Sequence, residues 1–95
     1  MNFCVYILFS KKLNRYYVGT TNNFTKRLSE HNMGFYNDSF TAKGIPWKEY
    51  LVINELNSKQ AFKIELHIKT MKSRKYIENL AKYPELLAKL KDQYS

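Results

Sequence analysis

Five polar side chains set the chemical question: the phenols of Tyr6 and Tyr17, the guanidinium of Arg27, the imidazole of His31 and the carboxylate of Glu65. A guanidinium offers a fixed fork of donors to an anionic oxygen. A phenol has an ordinary pKa of about 10, so it works as a base only where nearby positive charge lowers it. An imidazole can take up a proton or hold a water. Brought together, such groups bind an anion and move a proton beside it.

The local pattern says how the first four can meet. Residues 3–9 form a short apolar and aromatic run, and residues 16–20 a second β-rich run, with a polar connector at 11–15. The pair reads as an antiparallel hairpin. If Tyr6 pairs with Tyr17 or with Gly19, the two phenols share one sheet face, because opposed residues point the same way and side chains alternate. A one-residue slip would separate them. Asn22 and Asn23 supply an N-cap for a helix over 24–33, which Gly34 ends. Arg27 and His31 are neighbours on that helix, beside Phe24 and Leu28.

Residues 34–46 carry two Gly, a Pro and several small polar residues, and read as a long irregular loop. Phe35, Tyr36, Phe40 and Lys43 lie in it, either to stack on bases or to fold the loop onto the core. A third strand is expected over 47–56. Asn57 and Ser58 then cap the longest helix, 58–71. At about 100° per residue, Lys59, Gln60, Lys63, His67 and Thr70 make its solvent face. Glu65 points nearly opposite, between Ala61 and Phe62, with Lys69 and Lys72 on its strip. A carboxylate on an apolar face is costly unless paired or metal-bound. Spacing alone allows either a Glu65–Lys69 pair or a ligand. Two more helices follow, over 73–82 with Ser73 as cap and over 84–94 with Pro84 in the first turn. Lys69, Lys72, Arg74 and Lys75 form a basic cluster that is either a solvated face or a phosphate-contact patch.

Ninety-five residues suit one domain with a modest core. The net charge of +8 and pI near 9.6 favour an anionic partner. A single cysteine, Cys4, excludes an internal disulfide and suits a reducing, cytoplasmic setting. Neither a leader segment nor an apolar run of membrane-spanning length is evident, so no membrane is expected.

The triplets Cys4-Val5-Tyr6 and Tyr17-Val18-Gly19 resemble those that name the GIY-YIG nuclease superfamily, with Thr20-Thr21-Asn22, Arg27-Leu28, Glu30-His31-Asn32 and Glu65 in family order. The resemblance covers roughly residues 2–80. It points to small standalone members related to the nuclease domain of the bacterial excision-repair endonuclease. Cys4 replaces the usual glycine, and valine replaces isoleucine in both triplets; no polar group is affected. The resemblance implies an α+β fold: a mainly antiparallel three-stranded sheet in the order ββαβα, with extra C-terminal helices. It implies a DNA endonuclease using one Mg2+ or Mn2+ held by Glu65, in repair or the processing of branched DNA. Tyr6 or Tyr17, with Tyr6 favoured, would activate water; Arg27 would hold a phosphate oxygen and His31 would assist. Gly19 would serve the backbone, and Asn79 would support the site. Lys43, Lys69, Lys72, Arg74 and Lys75 would contact DNA, and productive binding would call on a protein partner or a homodimer. The alternative is an inactive nucleic-acid-binding module of the same fold.

Overall fold

Three β-rich runs make the sheet: β1 (Phe3–Ser10), β2 (Arg15–Thr21) and β3 (Trp47–Leu56). These form a computed structural model that describes residues 2–35 and 39–95, and of residues 39 and 40 the backbone. All pairings are antiparallel and the spatial order is β2-β1-β3, so the most apolar strand is central and β2 is an edge. The register sets Tyr6 opposite Gly19 and Leu8 opposite Tyr17. Both phenols therefore lie on one face.

Each face acquires its own core. On one, Tyr6, Leu8 and Trp47 are buried beneath α1 (Phe24–Asn32), with Phe24 and Leu28 packed against them. On the other, Val5, Ile7, Val18, Ile53 and Leu56 meet Ala61, Ile64 and Ile68 of α3 (Ser58–Met71). Two helices extend this second layer: α4 (Arg74–Lys82), which buries Ile77 and Leu80, and α5 (Pro84–Gln93), which buries Leu90. Side-chain caps start three of the helices, with Asn23, Asn57 and Ser73 each accepting from a backbone N–H of the first turn. Gly34, at φ +70, closes α1 in the left-handed region.

The expected irregular loop contains a further helix, α2 (Ser39–Lys43). It is docked to the core by its own polar groups. Trp47 Nε1 donates to Thr41 O at 2.8 Å, and Ser10 Oγ donates to Gly44 O at 2.7 Å. Asn32, at the end of α1, binds both backbone groups of Trp47, at 2.6 and 2.9 Å. These polar contacts hold the segment to the core, while Phe35, one of the aromatics weighed for that role, stays exposed. Tyr36 lies outside the described residues, as does the side chain of Phe40.

His67 departs from the solvent face expected of it. Its Nδ1 meets Tyr94 Oη at 2.9 Å and its Nε2 meets Tyr76 Oη at 3.1 Å, so it ties α3 to α4 and to the end of α5. Phe62, expected on the apolar side, is 58% exposed and leans against Phe3. The buried stripe of α3 runs through Ala61, Ile64 and Ile68, which leaves Glu65 at its margin.

Candidate active site

Period-two alternation on β1 and β2 delivers Tyr6, Tyr17, Gly19 and Thr21 to the face that α1 covers. Tyr6 is fully buried, and its Oη lies 3.2 Å from His31 Nε2. The Tyr17 ring is offset from the Tyr6 ring with centroids 6.3 Å apart, and it meets the His31 ring edge-on at 4.8 Å. Tyr17 is only partly buried. Of the two phenols, Tyr17 is the one solvent can reach. A base must touch the water it deprotonates, so the burial of Tyr6 counts in favour of Tyr17 as the water-activating phenol.

Gly19 is required by space and not by backbone conformation. Its φ is not in the left-handed region. A Cβ there would sit 2.5 Å from Tyr6 Cζ and closer still to Tyr6 Oη. The bare glycine leaves room for the phenol to cross the neighbouring strand and reach His31.

His31 is buried, and the loss of hydration pushes its imidazole below the ordinary pKa. The Arg27 guanidinium pushes in the same direction, while Glu30 pulls the other way. The neutral ring can therefore serve as acceptor or donor at its Nε2. Arg27 Nε lies 3.7 Å from Glu30 Oε1. With Lys26, Thr21 and Asn22 it lines a small open cleft of about 240 Å³ at the start of α1.

Glu65 stands on the opposite sheet face. One carboxylate oxygen accepts a short hydrogen bond from Thr20 Oγ1, and the other accepts from Lys69 Nζ at 2.6 Å. The i,i+4 pair is thus present, and the Glu65 side chain keeps 19% exposure. The two halves of the site approach at one place, the C-terminal end of β2. Thr20 holds Glu65 on one face, and the next residue, Thr21, lines the cleft of Arg27 on the other. Among the described residues no three His, Cys, Asp or Glu gather into a cage. A lone carboxylate fits Mg2+ or Mn2+, which retain waters and accept phosphate oxygens as further ligands. Lys69 is the group such an ion would displace or share with.

The basic cluster is only partly as expected. Arg74 is docked: it donates to Asn14 O at 2.8 Å and to Asn14 Oδ1 at 2.7 Å, pairs with Glu78 at 3.6 Å and covers the Tyr16 ring. Lys69, Lys72 and Arg74 nevertheless line one cleft of about 680 Å³ between β2 and the α3–α4 turn. Arg15, which the sequence reading passed over, joins them there, and no acid lines that cleft. Its position at the first residue of the edge strand was the available signal. Lys75 and Lys43 are exposed but lie outside it. Asn79 sits on α4, in the layer of Glu65 and away from the face of the tyrosines. Cys4 is buried, and burial raises its thiol pKa, so it is an inert core thiol. No helix among the described residues is long and apolar enough to cross a membrane.

Comparison with known proteins adds one finding. Neither the curated proteins nor the solved structures return a match. The family model of the GIY-YIG catalytic domain does match, over residues 2–78. That match runs from just before β1 into α4, so the chain belongs to the GIY-YIG catalytic domain family, a family of nucleases.

Proposed function

We propose that this chain is a divalent-metal-dependent DNA endonuclease that acts in repair or in the processing of branched DNA. The observation that carries the reading is the junction at the end of β2. There a hydrogen-bonded carboxylate, Glu65, and an arginine cleft occupy adjoining strand residues, next to a packed Tyr6–Tyr17–His31 group.

Tyr17, as the more accessible phenol, takes the proton from the attacking water. Buried Tyr6 is a positioning residue that holds His31 through Oη–Nε2. His31 in turn packs its ring edge against Tyr17 and fixes its direction. Arg27 places its fork on a non-bridging phosphate oxygen, where charge grows as the phosphorane-like state forms. Glu65 would hold a divalent ion, which would supply charge neutralisation and help for the leaving oxygen. Lys72 and Arg15, which no described carboxylate pairs, contact the DNA backbone along the wide cleft, with Lys69 and Arg74 beside them.

The test is cleavage of nicked, flapped, branched and plain duplex DNA with Mn2+ by the wild type and by Glu65→Ala, Arg27→Ala and Tyr17→Phe. Each variant should lose about 100-fold or more in rate while keeping most of its DNA affinity. A wild type that binds DNA in a salt-sensitive way but cuts none of these substrates would overturn the enzyme and leave the binding module.

A further inference from the structure

Beside the Arg27 cleft lies a second one, of about 440 Å³, that the proposed chemistry does not use. The two share Thr21 and Asn22, so they adjoin at the end of β2. Their linings differ in kind. The first offers the cations Lys26 and Arg27, which outnumber its one carboxylate, Glu30, itself ion-paired to Arg27. The second offers the carboxamides of Asn2 and Asn54, the carboxylate of Glu55 and the rings of Phe3 and Phe24.

A backbone irregularity builds this second lining. Phe3 pairs with Leu56 but Val5 pairs with Ile53, so Asn54 and Glu55 together oppose Cys4 in a β-bulge. Glu55 adopts φ +63, a left-handed conformation that costs a non-glycine residue roughly 1–2 kcal/mol. In a regular strand, consecutive residues point to opposite faces. Here both line the same cleft. Among the described residues, neither Asn2, Asn54 nor Glu55 spends its side chain on an intramolecular hydrogen bond or ion pair.

We infer that this cleft is a nucleobase subsite, filled by an unpaired base next to the phosphate held at Lys26 and Arg27. The charge pattern decides between base and backbone. The second cleft is lined by a carboxylate and by no cation, so it repels a phosphate but accepts from a base N–H. Carboxamides can pair with the polar edge of a base, and the two phenylalanine rings offer its faces an apolar contact. Glu55 favours a base with an exocyclic amine, which means adenine, cytosine or guanine, over thymine, whose single N3–H lies between two carbonyls that repel the carboxylate. Entry requires the base to leave its stack, which costs least at a nick, flap or junction. The inference deepens the nuclease reading and rests on it for the identity of the neighbouring phosphate.

The test has two arms, and the first needs no cleavage. Amide and carboxamide resonances of the isotope-labelled chain are followed while dAMP, dCMP, dGMP, dTMP or deoxyribose 5-phosphate is added to millimolar concentration. Shifts at Asn54, Glu55 and the Asn2 carboxamide with the amine-bearing nucleotides, but with deoxyribose 5-phosphate only at Lys26 and Arg27, support the subsite. Equal shifts from deoxyribose 5-phosphate, or none at Asn54 and Glu55, overturn it whether or not the chain cuts DNA. The second arm maps cut sites on randomised flap DNA for the wild type and Glu55→Gln. The preference for amine-bearing bases at one position beside the cut should fall about tenfold in the variant. A wild type that cuts with no such preference, or a preference that Glu55→Gln leaves intact, refutes the subsite while the nuclease stands.

Discussion

Replacing Gly19 with alanine tests the most specific packing relation in the site. In most strands this exchange is favourable by about 0.5–1 kcal/mol, because glycine loses more freedom on folding. Here the new methyl would lie 2.5 Å from Tyr6 Cζ and 2.9 Å from Tyr6 Cε1, in a core where Tyr6 has no exposed surface to retreat to. Overpacking of this kind costs roughly 1–3 kcal/mol. Moving the ring also stretches the 3.2 Å contact to His31, which adds about 1 kcal/mol for a lost buried hydrogen bond. The expected loss is therefore about 2–4 kcal/mol, or a fall in melting temperature of roughly 10–25 °C for a chain of this size. Urea unfolding of the wild type, Gly19→Ala, Tyr6→Leu and the double variant checks it. The atoms that clash are absent in the Tyr6→Leu background, so the Gly19→Ala cost should drop there by at least about 1.5 kcal/mol. A neutral or stabilising Gly19→Ala in the wild-type background would show that Tyr6 does not cross Gly19. The same would follow from equal costs in both backgrounds. The account of how the phenol reaches His31 would then fail.

Two further perturbations test the electrostatics. Burial and Arg27 hold the His31 imidazole below its ordinary value of 6.5, so acid favours the unfolded chain, which takes up the proton first. This contribution is complete above about pH 6.5 and is lost as pH falls from there through the lowered folded value, with a slope of at most about 1.4 kcal/mol per pH unit. Unfolding at pH 7.5 and 5 should show the wild type losing more stability than His31→Gln; parallel losses would refute the shift. For the carboxylate, Lys69→Ala removes the cation 2.6 Å from Glu65. That pair is half exposed on the lysine side and worth about 0.5–1 kcal/mol, so the Mn2+ concentration for half-maximal cleavage should fall about two- to fivefold. An unchanged or raised requirement would mean that Glu65 does not bind the ion through the oxygen Lys69 holds.

What could be read in advance was local. The two β-rich runs marked the hairpin, and the pairing found, Tyr6–Gly19, is one of the two registers that set both phenols on one face, here beneath α1. The caps Asn23, Asn57 and Ser73 were legible because each acts within its own turn. Long-range packing was not. His67 occupies a polar face of α3 by angle, yet two later helices bring Tyr76 and Tyr94 to it. The complete burial of Tyr6 depends on α1 and Trp47, which no spacing within the hairpin encodes. The five residues of α2 are too few to show a helical period between two glycines. The bulge at Asn54 and Glu55 has no glycine to announce it, and its left-handed φ falls on an ordinary glutamate.

The arrangement at the end of β2 explains why a strand edge suits this chemistry. Alternation sends Thr20 and Thr21 to opposite faces, so the carboxylate one holds and the arginine cleft the other lines cannot meet through the sheet. They can meet only around its rim. Among the described residues β2 has no partner strand on its outer side, and a phosphate at its C-terminal end can therefore touch both sides at once. A strand threaded past that end would have its backbone carried on the Glu65 side by the wide basic cleft. On the Arg27 side it would meet the carboxamide and carboxylate lining behind the bulge. The Glu65 side thus carries backbone contact alone, while the Arg27 side adds base contact next to its phosphate. Changes to Arg15 or Lys72 should therefore weaken all DNA alike, and changes to Glu55 should alter only which base is taken.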